Sequence, residues 1–149
     1  IGDYIIENSG KQEGTVVKID LFYTTLSTVD NRRITVPNGA LTNSSIVNVT
    51  AKDNRKLEIK VGISYQADLK KAKKILETLL HEDASIMSDQ EMQVFVDELA
   101  ADSVILGLRA WVKTEEYWAT KWRLNEKIKL TFDEQGIEIP FPQLDVHIK

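Results

Sequence analysis

Residues 55–80 have the sequence RKLEIKVGISYQADLKKAKKILETLL, and the spacing of their apolar positions changes halfway. From Leu57 to Ile63 apolar and other side chains alternate, which predicts a strand. After Asp68, a residue suited to cap a helix, apolar residues recur at helical spacing and share one face. They are Leu69, Ala72, Ile75, Leu76, Leu79 and Leu80. The segment therefore predicts a strand followed by an amphipathic helix.

Two more strands and a second helix are predicted downstream. The patterns over Met92–Leu99 and Ser103–Lys113 indicate a hairpin. We expect the second helix to begin at a Thr114 cap and to end at Gly136. Its apolar face is expected to contain Trp118, Trp122, Ile128 and Phe132 and to pack on the sheet. The order strand, helix, strand, strand, helix predicts the split βαβ arrangement of an α+β ferredoxin-like domain.

The N-terminal third of the chain contains only short β-like runs. They are rich in Val, Ile, Thr, Tyr and Phe and are separated by turn residues. The predicted strands are Tyr4–Glu7, Thr15–Asp20, Phe22–Val29, Arg33–Pro37 and Ile46–Thr50. Short strands at this density predict a small β-barrel. We accordingly assign a barrel to residues 1–52, the α+β domain to 53–143, and a C-terminal strand to 144–149.

The C-terminal strand is amphipathic. Pro140 and Pro142 prevent a continuing helix, and Leu144, Val146 and Ile148 then alternate with polar residues. A single terminal strand must pair with a sheet edge in its own subunit or with copies from neighbouring subunits. The second option predicts a homo-oligomer in which these three residues form an assembly strand.

Composition and charge exclude several classes of function. The 149 residues include no Cys, and the 2 His have no partner at the spacing of metal ligands. The sequence contains no phosphate-binding loop and no nucleophile motif. Residues 1–52 are neutral and the remainder carries the net charge of −4, while the lysines at 70, 71, 73 and 74 are interpreted as a solvated helix face. We therefore expect no enzymatic activity, no metal or other cofactor, and no nucleic-acid partner.

Three segments, in order, resemble the small-conductance mechanosensitive channel (MscS) family. Glu13–Leu41 resembles the family's small β-domain, and Val61–Leu76 the first strand and helix of its α/β domain. Phe132–Ile137 with Pro140–Val146 is similar to its closing signature. The motif residues in the first segment are Gly14-Thr15-Val16, Thr24-Thr25 and Val36-Pro37-Asn38-Gly39.

This resemblance implies the cytoplasmic region of a channel, without the membrane helices. Such a channel lies in the cell inner membrane, opens under membrane tension and releases ions and small solutes in hypo-osmotic shock. In the family seven subunits form a hollow cage on the cytoplasmic side. Sm-like β-domains form its upper ring, α/β domains form its wall, and the terminal strands form a small barrel at the base. The longest apolar run in this chain, Val104–Leu108, is far shorter than the roughly 20 residues of a membrane span.

The segment Pro37-Asn38-Gly39 is the candidate functional site. Pro37 lacks an amide donor and ends the strand, and Asn38 and Gly39 tolerate the positive φ that a reversal needs. The resemblance implies that this turn couples the ring of β-domains to the membrane part, and a turn that serves only the fold is the alternative. Arg109, shortly before Trp111 on one strand, is expected to form a structural salt bridge.

Two other classes of function stay open at this point. A soluble ferredoxin-like regulatory domain could bind a small ligand at a subunit interface, and a deep apolar pocket with converging polar groups would support it. An Sm-like barrel could instead bind RNA, which a ring of basic residues around the barrel would support. Apolar spans of roughly 20 residues upstream of Ile1 would favour the channel.

Overall fold

The computed structural model describes residues 1–142, so Leu144, Val146 and Ile148 of the predicted terminal strand lie outside the described residues. Two compact units are present, Ile1–Asp53 and a second unit that begins at Asn54. The first unit consists mainly of β-sheet, and the second combines a sheet with two long helices. The elements are β1 (Tyr4–Glu7), β2 (Gln12–Ile19), β3 (Tyr23–Ser27), β4 (Arg33–Pro37), α1 (Asn38–Thr42), β5 (Ile46–Asn48), β6 (Asn54–Ile63), α2 (Leu69–Glu82), β7 (Gln93–Leu99), β8 (Val104–Lys113) and α3 (Tyr117–Gln135).

The first unit is an antiparallel sheet with the strand order β4-β3-β2-β1-β5. Ile5, Val16, Leu26 and Val36 form its buried core, and Val16 lies opposite Leu26 so that both side chains share the inner face. A bulge in β2 follows Val16 and increases the local bend. Closure into the predicted barrel would join β4 and β5, which are the two edges of this sheet, and it stays a prediction.

Glu7 is a buried carboxylate at the end of β1. It accepts hydrogen bonds from the backbone N–H groups of Ser9 and Gly10, each at 2.8 Å, and from the Ser9 hydroxyl. The side-chain hydrogen bonds from Ser9 and Ser44, followed by the backbone bond from Gly10, lower the pKa of Glu7 to about 2. The ionised form of Glu7 is therefore the one that the folded first unit stabilises.

We expect Glu7 to make the first unit sensitive to acid. Because its pKa falls from the usual 4.5 to about 2 on folding, its stabilising contribution is present above pH 4.5 and is lost as the pH drops through this interval. Glu7→Gln should flatten the pH dependence of the urea midpoint of the first unit, followed by NMR signals of β1 and β2. Exposed Glu13 offers a control, Glu13→Gln. An unchanged pH dependence in Glu7→Gln would contradict the assignment.

The second unit is a three-stranded antiparallel sheet with the strand order β6-β8-β7. The helix α2 connects β6 to β7, and β8 lies between these two strands. As the alternation predicts, the residues on one face of β8 are all buried against α2 and α3. They are Val104, Leu106, Leu108, Ala110 and Val112. After α3 the chain returns to the end of β6, where the Ser64 N–H donates to the Glu138 carbonyl at 2.9 Å.

The helix α2 and the end of α3 agree with the prediction. The Asp68 carboxylate caps α2 by accepting a hydrogen bond from the Lys71 N–H at 3.1 Å. On the predicted apolar face, Ala72, Leu76, Leu79 and Leu80 are buried, Ile75 is half-buried and Leu69 is exposed. Gly136 ends α3 with a φ of 74°, which suits glycine because it lacks a Cβ.

The start and the buried face of α3 differ from the prediction. A 3-10 turn occupies Thr114–Glu116 and α3 begins at Tyr117, so Thr114 is not its cap. Trp118 and Trp122 are 52% and 64% exposed. The buried residues are Thr120, Leu124, Ile128 and Phe132. At about 100° of rotation per residue, the two tryptophans lie about 100° and 140° from the centre of this buried arc. The predicted single face thus combined a buried stripe with an exposed one.

Candidate functional site

Pro37, Asn38 and Gly39 lie where β4 is followed by a helix. Pro37 ends β4 and occupies the N-cap position of α1 with a φ of −57°. Among residues 1–142 the positions with positive φ are Gly2, Lys11, Asn31 and Gly136. The predicted positive φ at Asn38 and Gly39 is therefore wrong. A left-handed reversal is unnecessary here, because the right-handed turn of α1 redirects the chain.

Asn38 instead binds the loop between β2 and β3. Its backbone N–H donates to the Phe22 carbonyl at 2.8 Å. Its side-chain Nδ2 donates to the Asp20 carbonyl at 2.9 Å and to the Leu21 carbonyl at 3.0 Å. Three consecutive loop carbonyls therefore accept hydrogen bonds from one residue.

Thr24 holds the other end of the Asn38 side chain. Its Oγ1 donates to Asn38 Oδ1 at 2.7 Å, and Thr24 itself is buried on β3. Carbonyl oxygens only accept hydrogen bonds, so the NH2 group of the amide faces the loop and its oxygen faces Thr24. The Thr-Thr and Val-Pro-Asn-Gly motifs, whose linked residues are 14 positions apart, therefore form one structural unit.

The loop that Asn38 binds presents apolar side chains to solvent. Leu21 is 83% exposed and Phe22 is 71% exposed, and Ile19 and Tyr23 beside them are exposed as well. The Asp20 N–H closes the hairpin by donating to the Tyr23 carbonyl at 2.8 Å. We name residues 19–23 the apolar loop. A contiguous exposed apolar surface of this kind is typical of a contact site, whereas single exposed apolar residues are ordinary.

Sequence reasoning missed the apolar loop because it assigned Phe22 to a strand. In the structure β3 begins at Tyr23, so Leu21 and Phe22 belong to the connection. The available signal was the unbroken run Leu21–Tyr23 directly after Asp20, which interrupts the alternation expected of a half-buried strand.

Arg109 forms the predicted salt bridge on the second unit. Its Nε lies 2.7 Å from Glu58 Oε2, and its guanidinium lies 4.8 Å from the centroid of the Phe95 ring. The hydrogen bond from Arg109 is the main cause that lowers the pKa of Glu58. Both charged groups are partly solvated, so we treat the pair as a structural contact of modest strength.

Neither a metal centre nor a membrane span is found in the part of the chain that the structure describes. Within residues 1–142 no three His, Cys, Asp or Glu side chains are grouped so that they could hold a metal ion. Over the same residues no helix combines the length and the apolar character needed to cross a bilayer.

Comparison with protein families matches almost the whole chain to channel domains. The family described as "Mechanosensitive ion channel, beta-domain" matches residues 1–51. The family described as "Mechanosensitive ion channel MscS, C-terminal" matches residues 57–139. The two matches follow each other along the chain, one on each compact unit.

Individual relatives and solved structures agree with these matches. The small-conductance mechanosensitive channel of Edwardsiella ictaluri is 37% identical over 139 residues, which cover 93% of this chain and 49% of that protein. The crystal structure of Helicobacter pylori MscS in a closed state superposes with a TM-score of 0.89 at 31% identity, covering 99% of this chain and 58% of that one. Arabidopsis thaliana MSL1, at 18% identity, a TM-score of 0.73 and coverage of 95% and 52%, shares the fold.

The chain spans about half the length of the curated relatives that it matches. The resemblance of Glu13–Leu41, Val61–Leu76 and Phe132–Ile137 to one channel family is confirmed, because the two matched ranges contain these segments. The rest of the closing signature, Pro140–Val146, follows the end of the second matched range. This protein chain belongs to the MscS family of mechanosensitive ion channels.

Proposed function

We propose that this chain is the cytoplasmic region of a channel that opens under membrane tension and releases ions and small solutes in hypo-osmotic shock. Membership of the MscS family supports this activity. Coverage of about half of each curated relative supports a longer protein whose membrane helices lie outside this chain. The channel then sits in the inner membrane with both units on the cytoplasmic side.

The same proposal gives each part of the chain a place in a cage of seven subunits. The first unit forms an Sm-like barrel in the upper ring, and the second forms a ferredoxin-like wall domain. The strand order β6-β8-β7 with α2 as a crossover supports the wall assignment. Leu144, Val146 and Ile148 pair with their equivalents in neighbouring subunits around the symmetry axis. The domain boundaries remain 1–52, 53–143 and 144–149.

The observation that carries the role of the first unit is the apolar loop. Leu21 and Phe22 are exposed although three carbonyls of their loop are held in place by Asn38. We place the contact between this region and the membrane part here, next to the Pro37-Asn38-Gly39 segment. Burial of two such side chains is worth about 1.5–3 kcal/mol each, which is enough to bias a closed–open equilibrium.

The overall proposal is tested in cells that lack their own tension-gated channels. We expect the full-length channel to restore survival of hypo-osmotic shock and to give tension-activated currents in membrane patches. Failure of both measurements would overturn the channel assignment for the protein that contains this chain.

Replacement of the apolar pair tests the coupling contact. In the full-length channel, Leu21→Ser combined with Phe22→Ser should change the closed–open equilibrium at fixed tension by roughly tenfold or more, because the contact loses its buried apolar area. The midpoint tension in patches measures this change. Val29→Ser is a matched control, because Val29 is an equally exposed apolar residue outside the apolar loop. A double variant with the wild-type midpoint would remove the apolar loop from the gating mechanism.

A further inference from the structure

We infer that Asn38 is the positioning residue of the apolar loop and that it acts through the two hydrogen bonds that its side chain donates. The inference rests on the proposed function, since it assigns the residue that holds the coupling surface in shape. It also replaces the role that the sequence predicted for Asn38, because this residue does not adopt the positive φ for which asparagine is often chosen.

The direction of the loop carbonyls explains how one residue can orient two exposed side chains. The carbonyls of Asp20, Leu21 and Phe22 all accept from Asn38. These carbonyl oxygens all face Asn38. The side chains of Leu21 and Phe22 are exposed to solvent. An exposed loop without such bonds would exchange among several conformations.

The chemistry of the amide group suits this task. Its Nδ2 carries two hydrogens and reaches two carbonyls, at 2.9 Å and 3.0 Å. Its Oδ1 accepts from Thr24, a buried residue of β3, so the side chain is fixed to the core of the first unit. A carboxylate of the same shape would keep the bond from Thr24, but it has no hydrogen to donate and would face two carbonyl oxygens.

Preorganisation of the loop has a functional consequence. A surface that is already ordered loses less conformational entropy when its partner docks. A rigid loop also transmits a movement of its partner to the rest of the first unit, whereas a flexible loop would deform instead. Asn38 therefore influences gating through the shape of the apolar loop that it positions.

Hydrogen exchange in this 149-residue chain tests the positioning role directly. The backbone N–H of Asp20 donates to the Tyr23 carbonyl, and that of residue 38 donates to the Phe22 carbonyl. In Asn38→Asp we expect both amides to exchange at least about tenfold faster than in the wild type. Asn43→Asp adds the same charge at an exposed position at the end of α1 and should leave both rates unchanged. Thr24→Val removes the bond to Oδ1 but retains both donated bonds, so it should accelerate both rates clearly less than Asn38→Asp does.

Gating of the full-length channel provides the second readout. Asn38→Asp should move the midpoint tension in the same direction as the Leu21→Ser/Phe22→Ser variant, and Asn43→Asp should not. Unchanged amide exchange in Asn38→Asp, or exchange that accelerates equally in Thr24→Val, would overturn the positioning role and leave the proposed function standing. Faster exchange with wild-type gating, while the double variant is altered, would also overturn it. Wild-type gating in the double variant would overturn the coupling contact itself.

Discussion

Phe132→Ala should lower the free energy of unfolding of the second unit by about 3–5 kcal/mol, the range for truncating a buried aromatic side chain. Phe132 is fully buried in the cluster that joins α3 to β6, β8 and α2. Its removal leaves a cavity that the packed strands and helices only partly fill. Urea denaturation followed by far-UV circular dichroism measures the loss.

Trp118→Ala is the informative comparison with Phe132→Ala. Tryptophan is the larger side chain, but its removal should lower the free energy of unfolding by less. Trp118 is half exposed and its ring contacts are with Tyr117 at 5.2 Å and Trp122 at 6.0 Å between centroids, along the same helix. We expect a loss of less than about 1 kcal/mol, as for most surface substitutions. Trp122→Ala should behave in the same way. A loss for Trp118→Ala as large as that for Phe132→Ala would contradict the orientation of α3.

The second large effect is expected at the ion pair between the end of α2 and α3. Arg123 donates from Nε and Nη2 to the two oxygens of Asp83, at 2.9 Å and 2.7 Å. The Asp83 side chain is 1% exposed, whereas that of Arg123 is 38% exposed. The Ser85 N–H adds a bond to Asp83 at 2.9 Å. Burial alone would raise the pKa of Asp83, but the hydrogen bonds and charge of Arg123 together with Ser85 hold it below its usual value.

Because the two partners differ in exposure, the two deletions should differ in cost. Arg123→Ala leaves a buried carboxylate without its cation and should cost about 3 kcal/mol at neutral pH. Asp83→Asn leaves a cation that can turn to water and should cost about 1 kcal/mol, the value of an ordinary hydrogen bond. Urea midpoints of the two variants, together with an exposed control on α2, Lys70→Ala, measure this asymmetry.

The loss of stability in Arg123→Ala, relative to the wild type, should depend on pH in a predictable direction. In the wild type the folded pKa of Asp83 is depressed, so the contribution of the pair is present above the usual value of 3.8 and is lost as the pH falls below it. The difference in stability between wild type and Arg123→Ala should therefore shrink in acid. A deficit that stays constant from neutral pH to about pH 3 would show that the Asp83 charge does not cause it.

Elements with a clear local period were predictable. The alternation along β8 identified its buried face, and the Asp68 cap with the apolar spacing behind it identified α2. In both cases the pattern of neighbouring residues suffices, because side-chain direction repeats every 2 residues in a strand and every 3.6 in a helix. The family could also be identified from the sequence, because its motifs are short and consist of neighbouring residues.

Features that depend on packing partners were not predictable from the chain alone. α3 has one apolar stripe that ends in Phe132 and a second, aromatic stripe at Trp118 and Trp122. Hydrophobicity alone cannot predict which of the two stripes is buried. The positions of α2 and the sheet decide which stripe is buried, and they select the one that contains Thr120.

The sequence by itself determined the approximate strands of both sheets, the helix α2, the end of α3 and the membership of one channel family, because these follow from local periodicity and short motifs. Only the tertiary structure decided the role of Asn38. Its partners are carbonyls up to 18 positions earlier in the chain, and a backbone carbonyl carries no signature in the sequence. The apolar loop depends on the same contacts, since the exposure of Leu21 and Phe22 follows from where the β2–β3 connection is held.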